Sequence, residues 1–200
     1  MTPEEVGKSY DQIADLWSSS TFDSSNGIGP LKKAITFIKD RKWALDVGCG
    51  CNGRFFDLLL AESFQAEGLD VSAEMVRRAR ERHPQIRFHH SDFTRWTFPR
   101  SYDLIIAWDS LWHLPLSDQE DALIKLCDGL SDNGVLLLSM GGLNSASETR
   151  NTHMGVPLSY STLGIPKTRK VIAENGCICR YEEFDQAPET HFYFIAQRTN

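Results

Sequence analysis

Apolar positions along the chain change period near Trp43. Before it, Val6, Tyr10, Ile13, Ala14 and Trp17 recur at helical spacing. They follow Thr2-Pro3-Glu4-Glu5, a capping box with proline at the first helical position. Residues 18–29 are polar and turn-rich, which ends this helix near Trp17, and Leu31 to Ile38 predicts a second short helix. From Trp43 onward, short apolar runs alternate with helical patterns. Strands are predicted at Trp43–Val47, Gln65–Asp70, Ile86–His89, Leu104–Ala107 and Val135–Ser139. Between them lie helices over Arg54–Ala61, from a Ser72 cap to about Arg82, and along Ala122, Leu123, Leu126, Cys127 and Leu130. The last of these is opened by Ser117-Asp118-Gln119-Glu120, read as another capping box. Leu104–Ala107 is apolar without alternation, as a central parallel strand covered on both faces requires. Gly141 to Ile165 has no periodic segment, and a connection of that length in a compact domain is usually a lid or binding loop. Pro166–Glu174 predicts a last helix, and Cys177–Phe184 and His191–Gln197 two strands close enough in sequence to pair antiparallel.

This order predicts an α/β fold with a mostly parallel sheet, an antiparallel strand near its end, and helices on both faces. No repeat or linker divides the chain, so residues 1–200 are expected to form a single domain with an N-terminal helical cap over about 1–40. The net charge of −6 gives no overall attraction to nucleic acid, and clusters such as Arg77–Arg82 read as solvated helix faces. The N-terminus has neither a basic nor an apolar leader region, and no apolar run reaches membrane-spanning length. Five cysteines, an odd number, fit free thiols in a reducing, cytoplasmic setting. Cys49/Cys51 and Cys177/Cys179 are C-x-C pairs read as small apolar residues, and no metal is expected.

The chemistry gathers behind the predicted strands. Gly48, Gly50 and Gly53 follow the first strand and open a helix, satisfying G-x-G-x-x-G, a weak dinucleotide signature by itself. Asp70 ends the second strand, where a carboxylate accepts both hydroxyl hydrogens of a ribose, equally well in NAD and in S-adenosylmethionine. Asp46, two residues before Gly48, is awkward beside a pyrophosphate but acceptable near a cationic methionyl group. Asp92 follows the third strand, where it would accept adenine amino hydrogens, and Trp108 to Pro115 forms an aromatic segment after the fourth.

Tyr10-Asp11-Gln12-Ile13-Ala14, Leu45 to Gly50, Gly68-Leu69-Asp70-Val71-Ser72, Ser91-Asp92-Phe93, Tyr102 to Ile106 and Leu130 to Leu136, in this order and spacing, resemble the class I S-adenosylmethionine-dependent methyltransferases. The likeness is greatest to compact bacterial members acting on small molecules, and it covers essentially the whole chain. It implies a Rossmann-like, seven-stranded sheet whose last-but-one strand in space is antiparallel. It also implies that Asp46, Gly48 and Gly50 border the methionyl part of the cofactor, with Cys49 in the same cofactor-binding turn, that Asp70 binds ribose, and that Val71 packs on adenine. Asp92 and the Phe93 backbone would read adenine's polar edge, with Tyr10 closing over the cofactor. The spacing of Gly53 departs from the family pattern, so its part in the turn differs.

Methyl transfer from a sulfonium is an in-line displacement that depends on positioning. Trp108 and Trp112 are placed to hold the sulfonium by cation–π attraction. His113 is the expected general base, with Trp112, His153 and Tyr160 walling the acceptor and Arg150 available to an anionic one. The chain lacks the Asn/Asp-Pro-Pro-aromatic motif, a Pro-Cys pair and the acid pair of catechol enzymes, and little of it is expected to be left over for a separate recognition domain. A small-molecule acceptor is therefore expected, with the enzyme a monomer or homodimer and S-adenosylhomocysteine the product. Two alternatives stay open: a nicotinamide-dependent oxidoreductase, disfavoured by the missing Tyr-x-x-x-Lys pair, and a non-catalytic S-adenosylmethionine-binding protein.

Overall fold

A computed structural model describes residues 1–19 and 21–199; Ser20, in the turn-rich stretch, lies outside them. The chain runs α1 (Pro3–Ile13), α2 (Asp15–Ser18), α3 (Ile28–Ile35), β1 (Trp43–Val47), α4 (Arg54–Ala61), β2 (Gln65–Asp70), α5 (Ala73–Arg82) and β3 (Arg87–His90). It continues through β4 (Tyr102–Ala107), a 3₁₀ turn (Leu111–His113), α6 (Leu116–Asp128), β5 (Leu130–Gly141), β6 (Ser147–Asn151), β7 (Leu158–Thr162), α7 (Ile165–Glu174), β8 (Cys177–Asp185) and β9 (His191–Arg198). Seven strands form one sheet in the order β3-β2-β1-β4-β5-β9-β8. Neighbours are parallel from β3 to β5, and β9 is antiparallel to both β5 and β8. The antiparallel strand is last but one in space, as expected.

Apolar residues on the two sheet faces feed separate cores. One gathers Leu45, Ile105, Leu136 and Phe194 with Leu123, Leu126 and Ile172 of α6 and α7. The other gathers Leu104, Ile106, Leu137 and Ile195 with Leu31, Phe56 and Val76 of α3, α4 and α5. Strands buried on both faces explain the unbroken apolar run of β4. Strand order reverses between β1 and β4, which opens a crevice at their carboxyl ends. Helix α1 reaches across that crevice. Gly7 makes its approach possible, because a Cβ there would stand 2.7 Å from the Val71 carbonyl oxygen. Asp11 fixes it by accepting from the Ser72 hydroxyl at 2.6 Å and the Glu74 N–H at 3.0 Å.

Two expectations need correction. Helix α6 starts at Leu116 behind Pro115, without a side-chain cap. The Ser117 hydroxyl turns to Asp118 at 2.7 Å, and Glu120 is taken by Lys167 at 2.6 Å, so no capping box forms. The stretch from Gly141 to Ile165 holds an antiparallel hairpin, β6 with β7, as a separate two-stranded sheet. Its inner strand buries Ser159, Ser161 and Thr162 in place of apolar residues. Their hydroxyls donate to the carbonyls of His113, Leu114 and Gly141 at 3.3, 2.5 and 2.8 Å. Polar residues satisfied by backbone carry no hydrophobic alternation, so the strand is invisible to a periodicity reading.

Candidate cofactor and acceptor site

A cavity of about 380 Å³ lies over the crevice, roofed by α1 and the segment following it. The turn after β1 forms its floor. Gly48 and Gly50 hold φ of +73° and +59°, a region closed to most side chains. A Cβ on Gly48 would also meet the Ser110 Cβ at 2.2 Å. Gly53 has φ of +68° but faces away from the cavity onto His83, and serves as the N-cap of α4.

Asp70 ties this turn to β2. One of its oxygens accepts from the Gly50 N–H and the other from the Ser72 N–H, both at 2.8 Å. Each oxygen keeps a lone pair for a further donor. Burial nevertheless raises its pKa, with the backbone donors opposing that rise. Asp46 is buried, and desolvation pushes its pKa up to about 7 against the pull of Arg54. Asp92 commits one oxygen to the Thr94 N–H and hydroxyl at 2.8 Å, beside buried Phe93. Cys49, Val71 and Ser91 complete this end.

Aromatic residues enclose the opposite end. The Trp112 indole N–H, which can only donate, gives its hydrogen to His113 Nε2 at 3.0 Å. That nitrogen is therefore the unprotonated one, and the Tyr10 hydroxyl, 2.7 Å away, shares its one lone pair with the indole. Nδ1 carries the proton and donates to the Ser159 carbonyl at 2.8 Å. Burial lowers the His113 pKa to about 4, so the ring is neutral at pH 7. Trp108 is buried and donates to Asn26 Oδ1 at 3.0 Å, anchoring the segment before α3.

Sequence reasoning missed a charged chain on the same wall. Asp109, in the left-handed region at φ of +54°, accepts from Asn26 at 3.2 Å and from His191 Nε2 at 2.9 Å. Ser139 Oγ accepts the Asp109 N–H at 2.7 Å. The other His191 nitrogen bonds Asp185. Arg54, only 10% exposed, stands 3.6 Å from Asp109 and stacks against Phe22 and Phe55. Arg54 sits at the first position after the glycine turn, a signal legible in sequence; the pairing of Asp109 with His191, 82 residues on, is not. Met154 and Asn26 were also missed.

Of the expected residues, Tyr10, Asp46, Gly48, Cys49, Gly50, Asp70, Val71, Asp92, Phe93, Trp108, Trp112, His113 and Tyr160 all line this one cavity. His153 does not: it is exposed in the turn between β6 and β7, where its neighbour Met154 reaches the cavity instead. Arg150 is likewise exposed on β6 and lines no part of it. Among the described residues, no group of three or more His, Cys, Asp or Glu is arranged to hold a metal ion. No helix among them is long and apolar enough to cross a membrane.

Residues 44–134 match the model of a family described as "Methyltransferase domain". The 27-O-demethylrifamycin SV methyltransferase of Amycolatopsis mediterranei is 28% identical over 57% of this chain and 50% of its own. The trans-aconitate 2-methyltransferase of Afipia carboxidovorans is 35% identical over 48% of this chain and 37% of its own. The chain thus spans half or less of these relatives. Burkholderia thailandensis 1,6-didemethyltoxoflavin-N1-methyltransferase, solved with its namesake and S-adenosylhomocysteine, superposes with a TM-score of 0.72 at 16% identity, covering 96% of this chain and 85% of that one. Residues 44–134 are thus similar to a methyltransferase domain, and the chain has the fold of the methyltransferase structure on which it superposes.

Proposed function

We propose that this protein moves a methyl group from S-adenosylmethionine to a small-molecule acceptor, as a single unit in which residues 1–40 cap the site. The observation that carries this reading is the convergence of the glycine turn, Asp70 and Asp92 on one cavity of about 380 Å³. An orphaned polar atom supports the fit. Ser110 Oγ is buried against the Gly48 turn without a hydrogen-bond partner, and a methionyl polar group would supply one. When bound, the cofactor supplies an electrophilic methyl group on a sulfonium. Asp70 would accept from the ribose, Asp92 and the Phe93 backbone would read adenine against Val71, and Asp46, Gly48, Cys49 and Gly50 would border the methionyl group. Tyr10 and Trp108 would close over it, with Trp112 and Tyr160 facing the acceptor. The names of the sequence relatives, a 27-O-demethylrifamycin SV methyltransferase and a trans-aconitate 2-methyltransferase, support a small acceptor. Five unpaired thiols support a cytoplasmic location, and the site is built within one chain, as a monomer or homodimer allows.

His113 reads as a positioning residue. Both its nitrogens are engaged, and its low pKa makes it a weak base. His113→Ala should release Tyr10 and raise the KM for S-adenosylmethionine several-fold while leaving the pH profile of kcat unchanged. Loss of a titration near pH 4–7 from the kcat profile would return it to proton transfer.

Asp46 gives a second prediction. The methionyl ammonium favours an ionised carboxylate, so S-adenosylhomocysteine should bind more tightly as pH rises to about 7, then level off. In the unliganded protein the sign is opposite. A carboxyl raised from 3.8 to about 7 contributes stability that is full below 3.8 and lost as pH rises through about 7. Calorimetry from pH 5.5 to 8.5 should show proton release on binding that disappears in Asp46→Asn. Proton release that persists in the variant would assign it to another group.

A further inference from the structure

A second cavity of about 370 Å³ opens between the β6–β7 hairpin and the start of β9. It shares a wall with the first, because Trp112 and Tyr160, with ring centroids 6.4 Å apart, line both. Ser147, Thr149, Thr162 and Thr190 present hydroxyl-bearing side chains to it, together with Glu189 and His191. His191 is the link between the two spaces. It lines the second cavity while its Nε2 bonds Asp109, which lines the first.

Charge is distributed one way across both spaces. Among the described residues lining the second cavity, Glu189 supplies a carboxyl group and none is a lysine or arginine, while in the first Asp46, Asp70, Asp92 and Asp109 stand against a single guanidinium, Arg54. Arg54 is already engaged by Asp109, 3.6 Å away. His191 is held between two carboxyl groups, Asp109 and Asp185, which leaves that cluster no positive excess. A polyanion entering here would be desolvated beside like charges with no free cation to meet it. Side-chain hydroxyls and acids instead match hydroxyl and ammonium hydrogens.

On the methyl-transfer reading given above, we propose that the second cavity receives the acceptor, and that the acceptor is a hydroxylated amine and not a polycarboxylate. Its ammonium form gives one proton to water before reaction. The free nitrogen lone pair then forms the N–CH₃ bond as the S–CH₃ bond breaks, the breaking pair staying on sulfur. Positive charge thereby moves from sulfur to nitrogen, into the cavity that Glu189 lines, and no side-chain base is needed. This agrees with a His113 ring that is neutral and fully engaged.

Quenching of Trp112 fluorescence tests the charge of the cavity directly. The Trp112 component is the difference between the parent and Trp112→Phe, recorded with caesium and with iodide, in the presence and absence of S-adenosylhomocysteine. With each quenching constant divided by that of N-acetyltryptophanamide for the same ion, caesium should quench about threefold more effectively than iodide, the ratio that a local potential of about half kT produces. The ratio should fall towards one in Asp109→Asn/Glu189→Gln. A parent ratio at or below one overturns the proposal, as does methylation of trans-aconitate in preference to an amino sugar such as glucosamine. Absence of S-adenosylhomocysteine binding would instead strike the methyl-transfer reading, and the quenching ratio would still report on the cavity.

Discussion

Asp70→Ala should weaken S-adenosylhomocysteine binding by about 30- to 150-fold, the equivalent of about 2–3 kcal/mol for a buried charged acceptor. Two losses combine in that number. The carboxylate that would accept from the ribose is gone, and the Gly50 and Ser72 N–H groups it holds at 2.8 Å lose their partner. The second loss also loosens the glycine turn, so the melting temperature of the unliganded variant should fall. Asp70→Asn separates the two effects. An amide has one acceptor oxygen for two facing N–H donors, so it keeps one tie, breaks the other, and still lacks the charge. Its melting temperature should fall less than that of Asp70→Ala, while its affinity falls nearly as far. Parent-like affinity in both variants would remove Asp70 from the ribose contact.

Gly48→Ala is expected to have the largest effect on the fold near the site. At φ of +73° a side chain costs about 1–2 kcal/mol in backbone strain. Its Cβ would also collide with the Ser110 Cβ at 2.2 Å, and overpacking of that kind costs about 1–3 kcal/mol more. Together these should lower the melting temperature by roughly 5–15 °C for a chain of this size and abolish cofactor binding. Ser110→Gly in the same chain removes the collision but leaves the strain, so it should restore part of the stability. A double variant no more stable than Gly48→Ala would show that the crowding at Ser110 is relieved by other means.

The parallel half of the sheet was legible because each buried strand is a run of apolar residues bounded by turns and followed by a helix pattern. The floor of the cavity was legible for a related reason. Glycines at positive φ and acids at strand ends mark their positions in sequence, and strand topology brings Asp46, Asp70 and Asp92 to one edge. The β6–β7 hairpin escaped because its buried strand is made of serine and threonine, paired with carbonyls that no local pattern reveals. His153 was expected at the site from its position in that stretch, but it falls in the exposed turn between the two strands. The Asp109–His191–Asp185 chain depends on contacts between β4, β8 and β9, so its members look unrelated until the strands are assembled. His113 shows the reverse case, a residue that lines the cavity but is held by partners that sequence does not disclose.

Titration calorimetry of the purified protein with S-adenosylmethionine, S-adenosylhomocysteine and NAD tests the central claim most directly. Saturable binding of both adenosyl ligands, with no heat from NAD, is the expected result and assigns the glycine turn, Asp70 and Asp92 to the sulfonium cofactor. Saturable binding of NAD with none of either adenosyl ligand would contradict it and assign the same crevice to a nicotinamide-dependent reaction.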